Sequence, residues 1–170
     1  ANEGVYLTGG ERGVLLDGCV RVPYLEYGAV PDEVWEKLLR GEAPFERLDL
    51  VLVSHAHRDH FQVEAARELL LARRETRWVV HREVATAIES GWTRWPEVTG
   101  QVTAVAPVDG ERAAYRVAGL EVELLRLPHG PARSMPENLA HVVQIGGRTL
   151  VHVGDARASR EDLARAGLQG

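Results

Sequence analysis

The residues best suited to chemistry lie in one short segment, residues 54–60 (Ser-His-Ala-His-Arg-Asp-His), directly after an apolar run. Three of the seven histidines in the chain fall within it. Alternate side chains of an extended backbone point the same way, so His55 and His57 could meet one ion. Asp59 and His60 lie beyond, where they could reach a second ion. Imidazole and carboxylate are ligands of zinc, manganese and iron, so the segment predicts a metal site rather than a polar loop with incidental histidines.

The same segment resembles a family signature. His-x-His-x-Asp-His after an apolar strand is similar to the first metal-binding motif of the metallo-β-lactamase fold superfamily. His129, in a loop after a strand, resembles the family's third motif, and Asp155 after Gly154 resembles its strand-end Gly-Asp pair. Residues 2–5 with 14–17 look like its first hairpin. The resemblance covers nearly the whole chain and implies an α/β fold, the four-layer αββα sandwich of the metallo-β-lactamase type.

The resemblance also implies a set of ligands and a reaction. The expected ligands are four imidazoles and two carboxylates: His55, His57 and His129 for a first ion, and Asp59, His60 and the shared Asp155 for a second. The cofactor would be one or two Zn²⁺ ions, with Mn²⁺ or Fe as alternatives. A divalent ion lowers the pKa of bound water to about 7, so a metal-bound hydroxide would be the nucleophile. Asp59 would orient the hydroxide or shuttle a proton.

Several features depart from the family pattern. No histidine follows His152, although the family usually supplies a last second-metal histidine there, and the chain begins inside the first hairpin. We therefore expect residues 1–170 to form a single, incomplete domain whose C-terminal part is missing, or to be completed by a partner segment. The third motif lacks the Gly-His-Thr-Pro-Gly form, and a cysteine ligand of the lactamase kind is absent because Cys19 is the only cysteine. These features argue against a true β-lactamase and favour a bacterial metallo-hydrolase of unassigned substrate.

The elements that must position these residues alternate between strands and helices. We predict strands at residues 5–8, 13–17, 49–53, 78–81, 102–106, 113–117, 120–127, 139–145 and 148–153, and helices at 32–40, 62–74, 83–90 and from Ser159 onward. Long loops are expected at residues 18–30 and 91–100. Helices interleaved with strands fit layered α/β architecture.

Composition limits the class of protein. The chain has 170 residues, 25 of them acidic and 20 Lys or Arg, for a formal net charge of −5. A hydrophobic fraction of 45% excludes wholesale disorder, and the mild acidity argues against a nucleic-acid binder that works through net charge. The apolar runs are too short to span a bilayer, so we expect no membrane partner. A small-molecule substrate is expected, nucleic acid is disfavoured, and a homodimer is compatible with the sequence. The compartment stays open: the cytoplasm is favoured, with secretion an alternative if a signal peptide was removed.

Other residues are weaker candidates. Tyr24 and Tyr27 in the first long loop, and Arg58 within the histidine segment, could contact a substrate. Ordinary aromatic packing, or a solvated arginine, explains them as well. His81 is interpreted as a packed or surface histidine rather than a ligand.

Two strand histidines are also interpreted as structural. His141 alternates with Leu139 and Val143, which suggests a sheet histidine with satisfied hydrogen bonds. His152 has an odd offset from Asp155, which in a straight strand would place it on the opposite face, in a core or supporting role.

These observations favour a metal-dependent hydrolase that cleaves an ester, amide, thioester or phosphodiester bond of unknown substrate. One alternative is a metal-binding remnant of the fold without turnover, because the last ligand is missing. The other is a nuclease of the same fold, because some members of the family it resembles cleave RNA or DNA and the run at residues 73–77 is basic. A solvated helix end explains that run better, since cations are favoured near a helix C-terminus.

Overall fold

The computed structural model describes residues 3–108, 111–129, 135–157, 159–165 and 167. Asn2, within the segment 2–5 named above, and Gly130, which follows His129, lie outside these residues. The strands are β1 (Val5–Gly9), β2 (Arg12–Leu16), β3 (Leu50–Val53), β4 (Arg77–His81), β5 (Val102–Val105), β6 (Arg112–Val117), β7 (Leu120–Leu127), β8 (Asn138–Ile145) and β9 (Arg148–His152). The helices are α1 (Asp32–Arg40), α2 (Val63–Ala72), α3 (Arg82–Glu89) and α4 (Arg160–Arg165). The predicted elements are therefore present, but the segment predicted as a second long loop also holds 3-10 turns at Trp95–Glu97 and Thr99–Gln101.

The strands form two sheets. The first contains β1 to β5 in sequence order, with β1 antiparallel to β2 and the remaining neighbours parallel. Helices α1, α2 and α3 supply the crossovers that parallel pairing requires. The second sheet is the antiparallel meander β6 to β9.

Strand β3 shows how the layers are stacked. Leu50 and Leu52 pack into the core between the two sheets, whereas Val51 and Val53 pack with residues of α1, α2 and α3. All four side chains are fully buried, as predicted for a parallel strand covered on both faces. Leu163 of α4 packs on the outer face of the second sheet. The order helices, sheet, sheet, helix confirms the predicted αββα sandwich.

Both sheets meet at one edge of this sandwich. The parallel strands β2, β3 and β4 end there, and Asp17 at the end of β2 donates its backbone N–H to the Leu52 carbonyl at 3.1 Å. From the second sheet, the Leu139 N–H at the start of β8 donates to the Ser54 carbonyl at 2.8 Å. Segments that follow β3, β7 and β9 are thereby brought close together.

The interpretation of His141 as a satisfied histidine is wrong. Its side chain is fully buried, and neither ring nitrogen has a hydrogen-bond partner within the described part of the chain. The reason is its position on the inner face of β8 between Leu139 and Val143, which belong to the apolar core between the sheets. Its ring stacks on His152, with the ring centroids 6.1 Å apart.

Strand β9 does not run straight to Asp155, so the odd offset does not place His152 on the opposite face. The strand ends at His152, and Gly154 has a φ of +55°, so the chain turns before the aspartate. Asp155 lies against His60, and His152 shares the Asp17 carboxylate with His60. The supporting role expected for His152 agrees with its hydrogen bond to Asp17.

Across the described ranges, no helix combines the length and the apolar character that crossing a bilayer requires.

Candidate metal centre

Residues 54–60, here called the metal loop, leave β3 and turn sharply into α2. The turn closes because the His57 carbonyl accepts hydrogen bonds from the backbone N–H groups of His60 (3.1 Å) and Phe61 (2.8 Å). Ser54 and His55 at the start of the loop are fully buried. The loop is therefore anchored in the core at one end and fixed by the turn at the other.

Three imidazoles and one carboxylate converge on a single point. His55 Nε2 and His129 Nε2 lie 3.1 Å and 3.0 Å, respectively, from His57 Nδ1. Asp155 Oδ2 lies 3.9 Å from His55 Nε2 and 3.8 Å from His129 Nε2. Ligand atoms of a tetrahedral ion with bonds of about 2.1 Å lie about 3.4 Å apart, so this spacing suits the ligands of one ion.

A second group of potential ligands adjoins the first. Asp155 Oδ1 lies 3.2 Å from His60 Nε2, and Asp59 Oδ2 lies 3.9 Å from the same nitrogen. Asp155 thus directs one oxygen to each group. All six side chains expected to be ligands are brought together in two overlapping sets: His55, His57, His129 and Asp155, and Asp59, His60 and Asp155. Their role as ligands stays a prediction.

Asp17, which the sequence analysis did not single out, underlies both groups. Its Oδ1 accepts the Ser54 N–H at 2.7 Å. Its Oδ2 accepts the Ser54 hydroxyl at 2.6 Å and hydrogen bonds from His60 Nδ1 at 2.9 Å and His152 Nε2 at 2.8 Å. Full burial of Asp17 opposes its charge, but the hydrogen bonds from His152 and His60 outweigh burial and hold its pKa well below the ordinary range. In the sequence, its position at the end of an apolar run could have indicated a role for Asp17. Only the pairing of β2 with β3, however, places it beside Ser54.

The hydrogen bonds to Asp17 also decide which ring nitrogens carry protons. Ser54 has one hydroxyl proton and donates it to Asp17, so His55 Nδ1 must donate to Ser54 Oγ, 2.9 Å away. A neutral His55 then has no proton on Nε2. His60 likewise donates through Nδ1 to Asp17, and its buried Nε2 has no hydrogen-bond partner among the described residues. Each ring therefore turns its other nitrogen towards its own ligand group, which is the arrangement that orients metal-binding histidines.

Burial and neighbouring imidazoles favour the uncharged forms of two rings in the first group, His55 and His57. Burial, with the neighbouring His60 and His129, lowers the pKa of His55 to about 3. Burial and His129 lower the pKa of His57. For His60 burial also favours the neutral ring, but the hydrogen bond to Asp17 and the surrounding carboxylates raise its pKa. Burial thus favours the neutral rings of His55 and His57, which is the form that binds metals.

Asp155 is positioned by the residues on either side of the edge. Asn138, also missed by the sequence analysis, accepts the Asp155 N–H at 3.2 Å and donates to the Val153 carbonyl at 3.0 Å. A Cβ at Gly154 would lie 2.4 Å from Asn138 Oδ1 and 2.7 Å from the Ser54 Cβ. Only glycine fits here, because its φ of +55° also disfavours larger residues.

The donor set fits a divalent cation. His57 Nδ1 carries at most one proton, so it cannot donate to both His55 Nε2 and His129 Nε2 at about 3 Å. His60 Nε2 is buried without a hydrogen-bond partner in the described ranges. A cation among His55, His57, His129 and Asp155, and a second beside His60 and Asp155, would satisfy these nitrogens. Imidazole and carboxylate donors suit zinc and neighbouring transition metals.

The weaker candidates make contacts of their own outside the two ligand groups. The guanidinium carbon of Arg58 lies 5.3 Å from the ring centroid of Tyr24, so these two side chains pack on each other. Tyr27 pairs with Tyr24 through backbone hydrogen bonds. His81 is 7% exposed, and its Nδ1 accepts the Glu83 N–H at the start of α3, in agreement with a packed histidine.

Two grooves adjoin this edge along α3. One has a volume of about 770 Å³ and is lined by residues that include His81, Arg126 and Glu137. The other, of about 330 Å³, is lined by residues that include Ala56 and Arg58 of the metal loop. Ala87 of α3 lines both grooves, and the smaller one reaches the metal loop.

Comparisons with known proteins agree with this geometry. Residues 29–169 match the family model described as the beta-lactamase superfamily domain. The fold is similar to that of Igni18, a metallo hydrolase from Ignicoccus hospitalis, with a TM-score of 0.58 and 19% identity over 94% of this chain. It is also similar to a possible metal-dependent hydrolase from Veillonella parvula, with a TM-score of 0.60 and 16% identity over 98% of this chain. The chain spans 60% and 64% of the lengths of these two proteins. No curated protein matches it significantly.

Proposed function

Because the chain belongs to the beta-lactamase superfamily domain family, we propose that it is a metal-dependent hydrolase acting on a small molecule. The observation that supports this most strongly is the convergence of three imidazole nitrogens and a carboxylate, contributed by both sheets. The chain spans less than two thirds of either similar structure, so the activity of the whole protein is part of the proposal.

The positions of the six residues suggest which of them would bind each metal ion. His55, His57, His129 and Asp155 would hold a first ion, and Asp59, His60 and Asp155 a second, with Zn²⁺ as the expected metal. When bound, such ions lower the pKa of a coordinated water and polarise the oxygen of the scissile group.

Asp59 is the residue proposed to handle a proton. Its side chain is 14% exposed and its Oδ2 lies 3.9 Å from His60 Nε2, so it faces both the ligand group and solvent. A carboxylate in that position can accept a proton at Oδ2 and release it to the leaving group. Asp17, through Ser54 and His60, would keep the imidazoles correctly oriented during the reaction.

The chemistry of the site is compatible with an ester, amide, thioester or phosphodiester substrate. The groove of about 330 Å³ lined by Ala56 and Arg58 offers space for a small molecule beside the metal loop. A nuclease activity is not favoured by the basic run at residues 73–77. Arg73, Arg74 and Arg77 each donate to a backbone carbonyl elsewhere in the chain.

Hydrolysis by the metal-loaded chain tests this function. The purified protein would be loaded with Zn²⁺ or Mn²⁺ and given chromogenic esters, a thioester, an amide, a lactone and bis(p-nitrophenyl) phosphate. We expect metal-dependent turnover of at least one of these compounds. The Asp59→Asn variant should retain the first metal but lose about 100-fold or more in kcat, a typical loss for a proton-transfer group.

The matched control is Glu33→Gln, which removes an exposed carboxylate of α1 and should leave turnover unchanged. Bound metal with no turnover of any compound would contradict the proposal and support a metal-binding protein without catalysis. Cleavage confined to RNA, with an affinity that falls steeply with salt, would support the nuclease alternative.

A further inference from the structure

The larger of the two grooves along α3, here called the α3 groove, lies where strands of both sheets end. His81 ends β4 and Ala106 follows β5, whereas Arg126 lies near the end of β7 and Glu137 precedes β8. Small-molecule sites of α/β sheets commonly lie outside the carboxyl ends of parallel strands, as this groove does for β4 and β5. Its volume of about 770 Å³ is within the range of such sites.

His81 is almost wholly buried at the start of α3, with 7% of the residue exposed, and its ring lines the α3 groove. Its Nδ1 accepts the Glu83 N–H at 3.3 Å, so a neutral ring carries its proton on Nε2. Burial lowers the pKa of His81 and favours this neutral form. Nε2 has no hydrogen-bond partner among the residues that the structure describes. The ring therefore offers a groove ligand one uncharged N–H donor.

The charged side chains of the α3 groove balance one another. Arg126 donates through Nη2 and Nε to the two oxygens of the Glu137 carboxylate, each at 2.5 Å. Glu83 accepts the Glu137 N–H at 3.1 Å and lies in the first turn of α3, where a carboxylate complements the helix dipole. Arg82 is the fourth charged residue of the described lining, so two cations accompany two carboxylates. An anion would lose its hydration here without gaining an unbalanced cation, which favours an uncharged ligand.

Most of the remaining lining is apolar and is contributed by Ala87, Ala106, Pro107 and Val108. Val108 is 67% exposed, although its side chain is aliphatic. A molecule with an apolar body would remove this surface from water. The lining thus combines an apolar wall with a single donor held in place by the helix start.

We propose that the α3 groove is a binding site for an uncharged small molecule with an apolar body and a carbonyl group, whose oxygen accepts a hydrogen bond from His81 Nε2. The site requires no metal ion. It therefore goes beyond the proposed function and can be tested separately from it.

Benzamide is a suitable probe because it has an aromatic body, a carbonyl group and no charge. Its binding to the Zn²⁺-loaded protein would be followed through the backbone amide signals of residues 81–83 in ¹H–¹⁵N NMR spectra. We expect these signals to shift with benzamide. Benzoate, of the same size but charged, should bind at least about fivefold more weakly, because the groove does not compensate its lost hydration.

Two variants test the two parts of the site. His81→Ser keeps a side-chain oxygen that can accept the Glu83 N–H but removes the Nε2 donor, and should weaken benzamide binding about fivefold, the effect of one uncharged hydrogen bond. Ala106→Trp leaves His81 in place and fills the groove, so benzamide should no longer shift these signals. The matched control is Glu89→Gln, an exposed substitution on α3 outside the groove lining, which should bind benzamide as the parent does.

The proposal would be overturned by no benzamide binding to the parent, by unchanged affinity in His81→Ser, or by undiminished shifts in Ala106→Trp. Benzoate binding as tight as that of benzamide would overturn the assignment of an uncharged ligand. Benzamide binding that depends on His81, together with no hydrolysis of any test compound, would support this site and contradict only the proposed hydrolase activity.

Discussion

At the scale of single residues, Asp17 supports the site although it belongs to neither ligand group. Its carboxylate is fully buried and accepts four hydrogen bonds, from the backbone and hydroxyl of Ser54, from His60 and from His152. The histidine pattern of the metal loop could be recognised in the sequence because its members are six residues apart or less. Asp17 could not, because its partners are contributed by strands distant in sequence.

Asp17→Asn should therefore lower the stability of the metal-free protein. The amide keeps the size of the carboxylate but loses its charge and places an N–H₂ group among donors, at a cost of about 3 kcal/mol in the free energy of unfolding at pH 7. The folded-state pKa of Asp17 lies below its unfolded value of about 3.9, so the stabilisation is present above about pH 4 and is lost in stronger acid. Urea unfolding at pH 7 and pH 3 measures the loss, which should shrink at pH 3.

Asp49→Asn provides the matched control. Asp49 pairs with Arg12 near the surface, with 16% of its side chain exposed, and its substitution should cost about 1 kcal/mol or less. Equal losses in both variants would show that the buried position of Asp17 gives it no special role.

At the scale of elements, sequence patterns were sufficient to predict a strand from the residues of that strand alone. The apolar run of β3 and the alternation in β8 placed both strands within a residue of their observed ends. The patterns were not sufficient to predict the contacts between one element and another. The alternation correctly placed His141 with Leu139 and Val143, but it could not show that the facing layer is apolar and leaves both ring nitrogens without partners.

His141→Leu should stabilise the protein, and more strongly in mild acid. Leucine removes two buried nitrogens that lack hydrogen-bond partners in the described chain. This should raise the free energy of unfolding by about 1–2 kcal/mol at pH 7. Burial lowers the pKa of His141 to about 4, so the unfolded chain, with a pKa near 6.5, takes up the proton first as the pH falls. Between pH 6.5 and pH 4, the free energy of unfolding of the parent should thus fall by up to about 3 kcal/mol more than that of the variant.

Urea unfolding of both proteins at pH 7 and pH 5 gives this difference. Gln144→Leu, an exposed substitution on the same strand, should leave the pH dependence of the parent unaltered. A destabilised His141→Leu variant with the same pH dependence as the parent would mean that the buried ring is hydrogen-bonded in solution.

At the scale of the whole molecule, the candidate metal centre joins the two sheets. His55, His57 and His60 follow β3 of the first sheet, whereas His129 and Asp155 follow β7 and β9 of the second. The layered fold was predictable from the alternation of elements and from the family resemblance. The strand order that brings these loops to one edge was not visible in any local pattern, because it depends on long-range pairing.

A metal that bridges the sheets should stabilise the folded chain. Zn²⁺ at about 100 times its dissociation constant should add about 2.7 kcal/mol to the free energy of unfolding. This corresponds to a rise in Tm of about 5 °C or more for a chain of this size. Excess chelator should reverse the rise. His57→Ala removes a ligand of the first group, so its Tm should respond to Zn²⁺ much less. An equal rise in both proteins would indicate binding elsewhere on the molecule.

The most direct measurement is anomalous X-ray scattering from crystals grown with Zn²⁺, recorded on both sides of the zinc absorption edge. We expect a peak at about 2.1 Å from His55 Nε2, His57 Nδ1 and His129 Nε2, with Asp155 within coordination distance. A second, weaker peak is expected between Asp59, His60 and Asp155. A fully occupied zinc peak at another position, with none among these three imidazoles, would contradict the assignment of this edge as a metal centre.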